Sequence, residues 1–346
     1  MQRPLADTPT LAQVARMAGV SVPTASRVAN GREHVAPATR VRVEEVMRRT
    51  GYRPRPRASE TLATPLLDLV VPHLDSPWTG EMLRGAEQAA ADRGLGVVVS
   101  GQRGGAAAGP GMRPPSGWLD RVRERGTSGV LFGLAELTAA QYMWLTRNGV
   151  PYVFVDPGTE PPAGVPAVGA ANRDGGRQAT EHLLALGHRR IAVLGGHPHT
   201  LCSRARVDGY RSAMAAAGVR HRPEFVRHAN FDTGLAERTT HELLGLTVPP
   251  TAIFAASDQM AAGVLRAAVR RGLRVPSELS VVGFDDIAAS HWPLPGLTTV
   301  RQPIADMSAQ GVRMLARMAR GMPPEDIRVE LPTQLVVRST TARPLR

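Results

Sequence analysis

Seven apolar stretches between residues 66 and 285 constrain the fold more than any other feature of the sequence: LLDLVVP, LGVVVSG, GVLFGL, PYVFVD, RIAVLGG, TAIFAAS and LSVVGFD. Each is short, apolar nearly throughout and separated from the next by a helical pattern. The helices are expected from about Gly80 to Arg93 and near 118–125, 138–148, 175–187, 204–217, 234–246 and 258–271. Strands apolar on both faces need cover on both faces, so the alternation predicts parallel sheets with helices on either side. The stretches divide into two blocks, which predicts two doubly wound lobes. A chain of 346 residues is long enough for these and a further small domain.

Ligands of such folds lie beyond the carboxyl ends of the strands. The residues just past each apolar run include Asp75, Ser76, Pro77 and Trp78, then Asp156, Arg204 and Arg206, Phe231, Ser257 and Asp258, Asp285 and Asp286, and Gln302. Aromatics, carboxylates, a guanidinium and an amide suit a polyhydroxylated ligand. Rings stack on sugar faces, and carboxylate and guanidinium groups pair with hydroxyls. The plainer reading is that an Asp or Ser after a strand caps the next helix, which is the expectation for Asp258 and for Asp286.

Residues 10–51 have a different texture and read as three short helices. Thr10 and Gln13 form a capping-box pattern, and Leu11, Val14, Ala15 and Ala18 recur at helical spacing. Gly19 breaks the first helix, Val20 plugs the core beneath the turn, and Ser21 caps a second helix with Pro23 in its first turn. Ala25, Val28 and Ala29 then face the core, leaving Val22, Thr24, Ser26, Arg27 and Asn30 outside or at the ends. Two helices joined by a tight glycine turn, the second small and polar on its outer face, describe a helix-turn-helix. Arg27 can bind guanine or phosphate, Thr24 and Ser26 can reach base edges or phosphate, and Val22 and Pro23 can touch a thymine methyl. A helical hairpin with a solvated face is the alternative. A third helix, Pro37 to Met47, carries Val41, Val43 and Val46, and Gly51 is placed to end it. The first 60 residues hold eleven arginines against five acidic residues, half of the chain's net charge of +12, which points to a polyanionic partner. The segment from Tyr52 to Leu62 alternates Pro and Arg and reads as a stiff basic connector.

The segment TLAQVARMAGVSVPTASRVANGREHVAPATRVRVEEVMRRTGYRP resembles the DNA-binding head of the LacI/GalR family of bacterial transcription regulators. By that resemblance Val22, Pro23, Thr24, Ser26 and Arg27 occupy recognition-helix positions. Asn30, His34 and Thr39 match positions that contact the DNA backbone, Thr10 and Leu11 match the start of the first helix, and Tyr52 opens the connector. The family follows Tyr-x-Pro with Asn and sets a minor-groove leucine wedge nine residues after the Tyr. Here Arg55 replaces the Asn, Pro56 can shorten the hinge helix, and Thr61 stands at the wedge position with Leu62 next to it. HLLALGHRRIAVLGG, RARVDGY, AIFAASDQMAAGVLRAAVRRGLRVPSELSVVGFDD and LTTVRQP resemble the family's effector domain, which is akin to periplasmic sugar-binding proteins. The resemblance places Trp78, Asp156, Arg206, Phe231, Ser257, Asp285 and Gln302 on effector-contacting positions, with Ser257 where Asn often stands.

The expected architecture is therefore an all-α helix-turn-helix head (1–52), a hinge (53–64) and an α/β periplasmic-binding-protein-like body (65–346) that binds effector and dimerises. Its N-lobe comprises about 65–169 and 301–329, and its C-lobe about 170–300 and 330–342. The expected function is a non-enzymatic, effector-responsive repressor of carbohydrate genes. It would bind double-stranded operator DNA as a homodimer and change its affinity when a mono- or oligosaccharide occupies the cleft, without cofactor or metal. The end STTARPLR carries no leucine heptad, so a dimer is expected rather than a coiled-coil tetramer. A purine or other small effector fits the same architecture. A transport-type binding protein would need a signal peptide and no basic head. The N-terminus lacks an apolar h-region, and no run of about 18 apolar residues occurs, so a cytoplasmic location without membrane contact is expected. The single cysteine, Cys202, fits a reducing compartment and has no visible triad to make it a nucleophile. His197 and His199 nearby lack the spacing of a metal site. Asp285 and Asp286, adjacent at a strand end, point in different directions and so do not make a glycosidase pair. Residues 104–117 read as a Gly/Pro-rich surface loop.

Overall fold

A computed structural model describes residues 10–29, 35–50, 52, 64–102, 117–220, 222–288 and 296–345. The chain divides into two compact units, Met1–Ala63 and Thr64–Arg346.

The first unit holds α1 (Leu11–Met17), α2 (Val22–Ala29) and α3 (Pro37–Thr50). Thr10 Oγ1 accepts from Gln13 N at 3.3 Å while Gln13 Oε1 accepts from Thr10 N at 2.7 Å, completing the capping box. Gly19 turns the chain with φ 63°, where a side chain would be strained. Ser21 Oγ then accepts from Thr24 N at 3.3 Å and starts α2. The core is small and built from short side chains: Val14, Ala15, Ala18, Ala25, Val28, Val43 and Val46, flanked by Leu11, Val20, Val35, Met47 and Tyr52. Two details differ from expectation. Ala29, expected to face the core beside Ala25 and Val28, is only half-buried and lies outside it. α3 also runs past Met47 to Thr50, whose hydroxyl donates back to the Val46 carbonyl at 2.8 Å.

The second unit contains two six-stranded sheets. One has β2 (Gly96–Gln102), β1 (Leu66–His73), β3 (Gly129–Gly133), β4 (Tyr152–Val155), β5 (Ala167–Ala170) and β11 (Arg328–Leu331) side by side, all parallel. Its faces are covered by α4 (Pro77–Ala91), α5 (Trp118–Arg125), α6 (Ala139–Arg147) and α11 (Ile304–Met318). The other has β7 (Val226–His228), β6 (Ile191–Gly195), β8 (Ala252–Ala255), β9 (Ser280–Asp285), β10 (Thr298–Arg301) and β12 (Gln334–Val336). Here α7 (Asn172–Ala185), α8 (Leu201–Ala216), α9 (Thr233–Leu244) and α10 (Asp258–Arg270) supply the cover. Every residue of β3, β6, β8 and β9 is buried, and apart from Ser280 and Asp285 at the two ends of β9 these strands are apolar. β12 is the exception to parallel pairing and runs antiparallel to β10.

The chain crosses between lobes three times: from β5 to α7, from β10 to α11 and from β11 to β12. The helices α4, α7 and α8 begin about one turn earlier than the sequence pattern suggests, because their first turns carry proline, glycine or polar residues rather than an apolar stripe. Glycines set the closest helix contacts. A Cβ on Gly176 of α7 would meet the Arg206 carbonyl of α8, and one on Gly209 would meet the Arg173 carbonyl in return. Among the described residues no helix is long and apolar enough to cross a membrane.

Candidate functional site

On the first unit, α2 buries Ala25 and Val28 and turns Val22, Pro23 and Arg27 to solvent, with Thr24 and Ser26 half-buried. Val22 is 45% exposed, a large apolar side chain without cover, and Thr24 Oγ1 lies 2.9 Å from Ser21 Oγ. The outward face is thus short, small and carries one guanidinium at its end. Thr10 is an exposed helix cap, and Leu11 is half-buried against the small core. Thr39 is half-buried in the first turn of α3, and Tyr52 packs on the core with its N–H bonded to the Met47 carbonyl. Asn30, His34 and Leu62 lie outside the described residues, as do Arg55, Pro56 and Thr61 of the connector and residues 103–116 of the loop.

In the second unit a cavity of about 250 Å³ opens between the lobes at the carboxyl ends of the strands. From the first lobe Pro72, His73, Asp75, Ser76, Pro77, Trp78, Thr79, Leu134 and Asp156 line it. From the second come Cys202, Arg206, Asn230, Phe231, Asp232, Ser257, Gln259, Asp285 and Ile287. Arg206 is the centre of a buried polar network. Its Nε donates to Asn172 Oδ1 at 2.8 Å, Nη1 to the Ala256 carbonyl at 2.7 Å and to Asp285 Oδ1 at 3.3 Å, and Nη2 to Gln302 Oε1 at 3.0 Å. Asp156 Oδ2 stands 3.8 Å from Nη2 and accepts from Gln302 Nε2 at 3.1 Å, while its Oδ1 accepts from Asn172 Nδ2 at 3.1 Å. The guanidinium carbon lies 3.7 Å from the centre of the Phe284 ring, a cation–π contact. Asp156 comes from the first lobe and Arg206 and Asp285 from the second, so the network ties the two together.

Backbone strain gathers at the same place. Leu134, Asp156, Asn230, Phe231 and Asp285 line the cavity with φ between 49° and 108°, and Asp286 beside them has φ 55°. No other described non-glycine residue has a positive φ. Asn and Asp tolerate this region, but Leu134 and Phe231 adopt it at a cost of order 1–3 kcal/mol each, and such strain clusters at functional sites. Phe231 lies across Gly196, where any Cβ would collide with its ring.

Six of the seven expected effector positions, Trp78, Asp156, Arg206, Phe231, Ser257 and Asp285, are on the cavity wall. Gln302 is 3% exposed and sits one layer behind, holding Arg206 and Asp156. The helix-cap expectation needs correcting. Ser257 caps α10, its Oγ accepting from Met260 N at 3.2 Å. Asp258 instead accepts from Thr299 Oγ1 at 2.5 Å and from Ile287 N at 3.0 Å, bracing the chain after β9. The Asp286 carboxylate pairs with Arg301 at 2.8 Å and Arg338 at 2.6 Å. Asp285 and Asp286 therefore engage different partners.

Burial pushes Asp285 up to about 7 against the opposing pull of Arg206, and burial raises Asp258 well above the usual carboxylate range. The Cys202 thiol, on the wall but 2% exposed, is pushed up to about 12, chiefly by burial, and so stays protonated. His197 and His199 have ring centres 5.5 Å apart, and no cluster of three or more metal-binding side chains exists among the described residues. Sequence reasoning missed Asn172, Asn230, Asp232 and Gln259. Asn172 follows the short strand AVGA, and inspecting residues past each strand finds it only once that strand is recognised.

Comparison with known proteins completes the picture. Residues 10–55 match the family described as bacterial regulatory proteins, lacI family, and residues 180–341 match the periplasmic binding protein-like domain. The chain is 35% identical to the HTH-type transcriptional regulator CelR of Thermobifida fusca, over 96% of this chain and 98% of that protein. It is 31% identical to the ribose operon repressor of Halalkalibacterium halodurans, over 96% and 97%. Among solved structures it is similar to a transcriptional regulator CelR–cellobiose complex, with 33% identity, TM-score 0.71 and coverage of 96% and 99%. It is also similar to the lac repressor dimer bound to operator and the anti-inducer ONPF, with 29% identity, TM-score 0.69 and coverage of 97% and 100%. With a three-helix head, a two-lobed body around a cavity and full-length relatives of this kind, the chain belongs to the LacI family of bacterial regulatory proteins.

Proposed function

We propose that the protein is a cytoplasmic, homodimeric repressor of genes for carbohydrate uptake or breakdown, released from or recruited to its operator by a sugar in the interlobe cavity. The observation that carries this reading is the Arg206 network, which joins Asp156 of one lobe to Asp285 of the other at the cavity wall. A ligand that pairs with those carboxylates touches both lobes, so its binding energy depends on how far the cleft is closed. Differential affinity for two closures is the only way a ligand shifts such an equilibrium. Phe231 and the edge of Trp78 supply aromatic surface for a sugar ring. The exposed face of α2 supplies the base-reading surface, with Arg27 and the basic head giving steep salt dependence. The cavity is read as a binding site without turnover, since its carboxylates Asp156 and Asp285 flank one guanidinium and its thiol is held protonated.

Fluorescence anisotropy with an operator-like palindrome from beside the protein's own gene tests the proposal, at fixed salt, with and without a panel of mono- and oligosaccharides. One sugar that changes specific binding is the expected result. Specific binding that no sugar alters, with a purine altering it instead, would overturn the sugar assignment.

A further inference from the structure

We infer that the cavity selects uncharged, hydroxyl-bearing ligands and rejects phosphorylated or otherwise anionic forms of the same sugars. The inference rests on the proposal that the cavity is the effector site and adds the class of effector it takes. It follows from the excess of carboxylates on the wall and from the partners its one guanidinium already has.

Four carboxylates, those of Asp75, Asp156, Asp232 and Asp285, line the cavity against a single guanidinium, that of Arg206. That guanidinium is largely engaged. Its N–H groups go to Asn172, the Ala256 carbonyl, Asp285 and Gln302, with Asp156 3.8 Å away, and its face lies against Phe284. A forked grip on phosphate needs two free parallel N–H groups, and the four hydrogen bonds leave only one.

Helix N-termini are the other way this type of fold binds phosphate. Two of those that reach the cavity hold a side-chain cap. α9 is capped by Asp232, whose Oδ1 accepts from Leu235 N at 2.6 Å. α10 is capped by Ser257 and carries the buried carboxylate of Asp258 in its first turn. α4 has no side-chain cap but begins with Pro77, which has no N–H, and at the start of α8, also without a side-chain cap, the Leu201 N–H goes to the Gly158 carbonyl at 3.1 Å. The carboxylates instead leave acceptor capacity facing the cavity. A ligand is held there by donating hydrogen bonds, which sugar hydroxyls do and phosphate oxygens at neutral pH do not.

The test is isothermal titration of the full-length protein with matched pairs: glucose and glucose 6-phosphate, ribose and ribose 5-phosphate, cellobiose and its 6-phosphate. Asp75→Lys is run alongside, because Asp75 is exposed at the rim and outside the Arg206 network. The expected result is a neutral sugar that binds with its phosphorylated form weaker by about thirtyfold or more, and a gap narrowed about tenfold in Asp75→Lys. A phosphorylated sugar that binds wild type as tightly as its neutral partner overturns the inference and leaves the sugar-effector proposal standing. Operator binding with no saccharide of either kind bound overturns that proposal, and this inference with it.

Discussion

Arg206 is the residue on which the cavity depends. It is 2% exposed, and its partners Asp156, Asn172, Asp285 and Gln302 are equally buried, so each needs the guanidinium or each other for its hydrogen bonds. Breaking a buried pair by removing one partner costs roughly 3–5 kcal/mol, because the remaining charges stay in place without compensation. Arg206→Ala should lose about that much stability in urea unfolding, together with effector binding. A loss below about 1 kcal/mol would mean that the network adds little. Asp285 gives the site a pH signature. Burial raises its carboxyl to about 7, so the folded chain holds a proton that the unfolded chain has released. The stabilising contribution is complete at low pH and is lost as pH rises from about 4 to about 7. Asp285→Asn cannot titrate, so its stability relative to wild type should climb through that window in urea unfolding followed pH by pH. A difference that stays flat would contradict the assignment.

At the scale of elements, α7 and α8 approach backbone to backbone at Gly176 and Gly209, and this contact sets where Arg206 projects from α8. Gly176→Ala forces the helices apart and should cost about 1–3 kcal/mol by overpacking, despite alanine's better helix propensity. Thermal unfolding checks it, and a stabilised variant would show that the helices yield without strain. The same elements show how far sequence could be read. β3, β6, β8 and β9 were legible because burial on both faces leaves mostly apolar residues, and the head was legible because capping and spacing are local. β5 and β11 were not: AVGA has too little side chain, and β11 alternates exposed and half-buried residues at a sheet edge. α11 escaped notice although its buried face, including Ile304, Met307, Val312 and Leu315, packs on the first lobe. It follows a lobe crossing rather than an obvious strand. Those omissions explain the missed Asn172 and the placement of Gln302, since both sit at crossings. The cap assignment of Asp258 failed, and the ion pairs of Asp286 went unread, for another reason. Their partners, Ile287, Thr299, Arg301 and Arg338, include residues up to 52 positions away, and only the folded topology brings them near.

For the whole molecule, the proposal is that a sugar in the cavity of one unit changes DNA recognition by the other. Coupling free energies of this kind are typically 1–3 kcal/mol, or about 5- to 150-fold in affinity. The coupling must run through the cavity wall and not through a second sugar site or a solvent effect. Phe231 isolates that route: it lines the cavity, is half-buried, and belongs to the second unit, outside the helix-turn-helix. The decisive measurement is therefore operator binding by fluorescence anisotropy, titrated with the active sugar, for wild type and Phe231→Ala side by side. The account predicts that the sugar shifts wild-type operator affinity by at least about fivefold and that Phe231→Ala needs at least about tenfold more sugar for the same shift. A shift at the same sugar concentration in both proteins would contradict it.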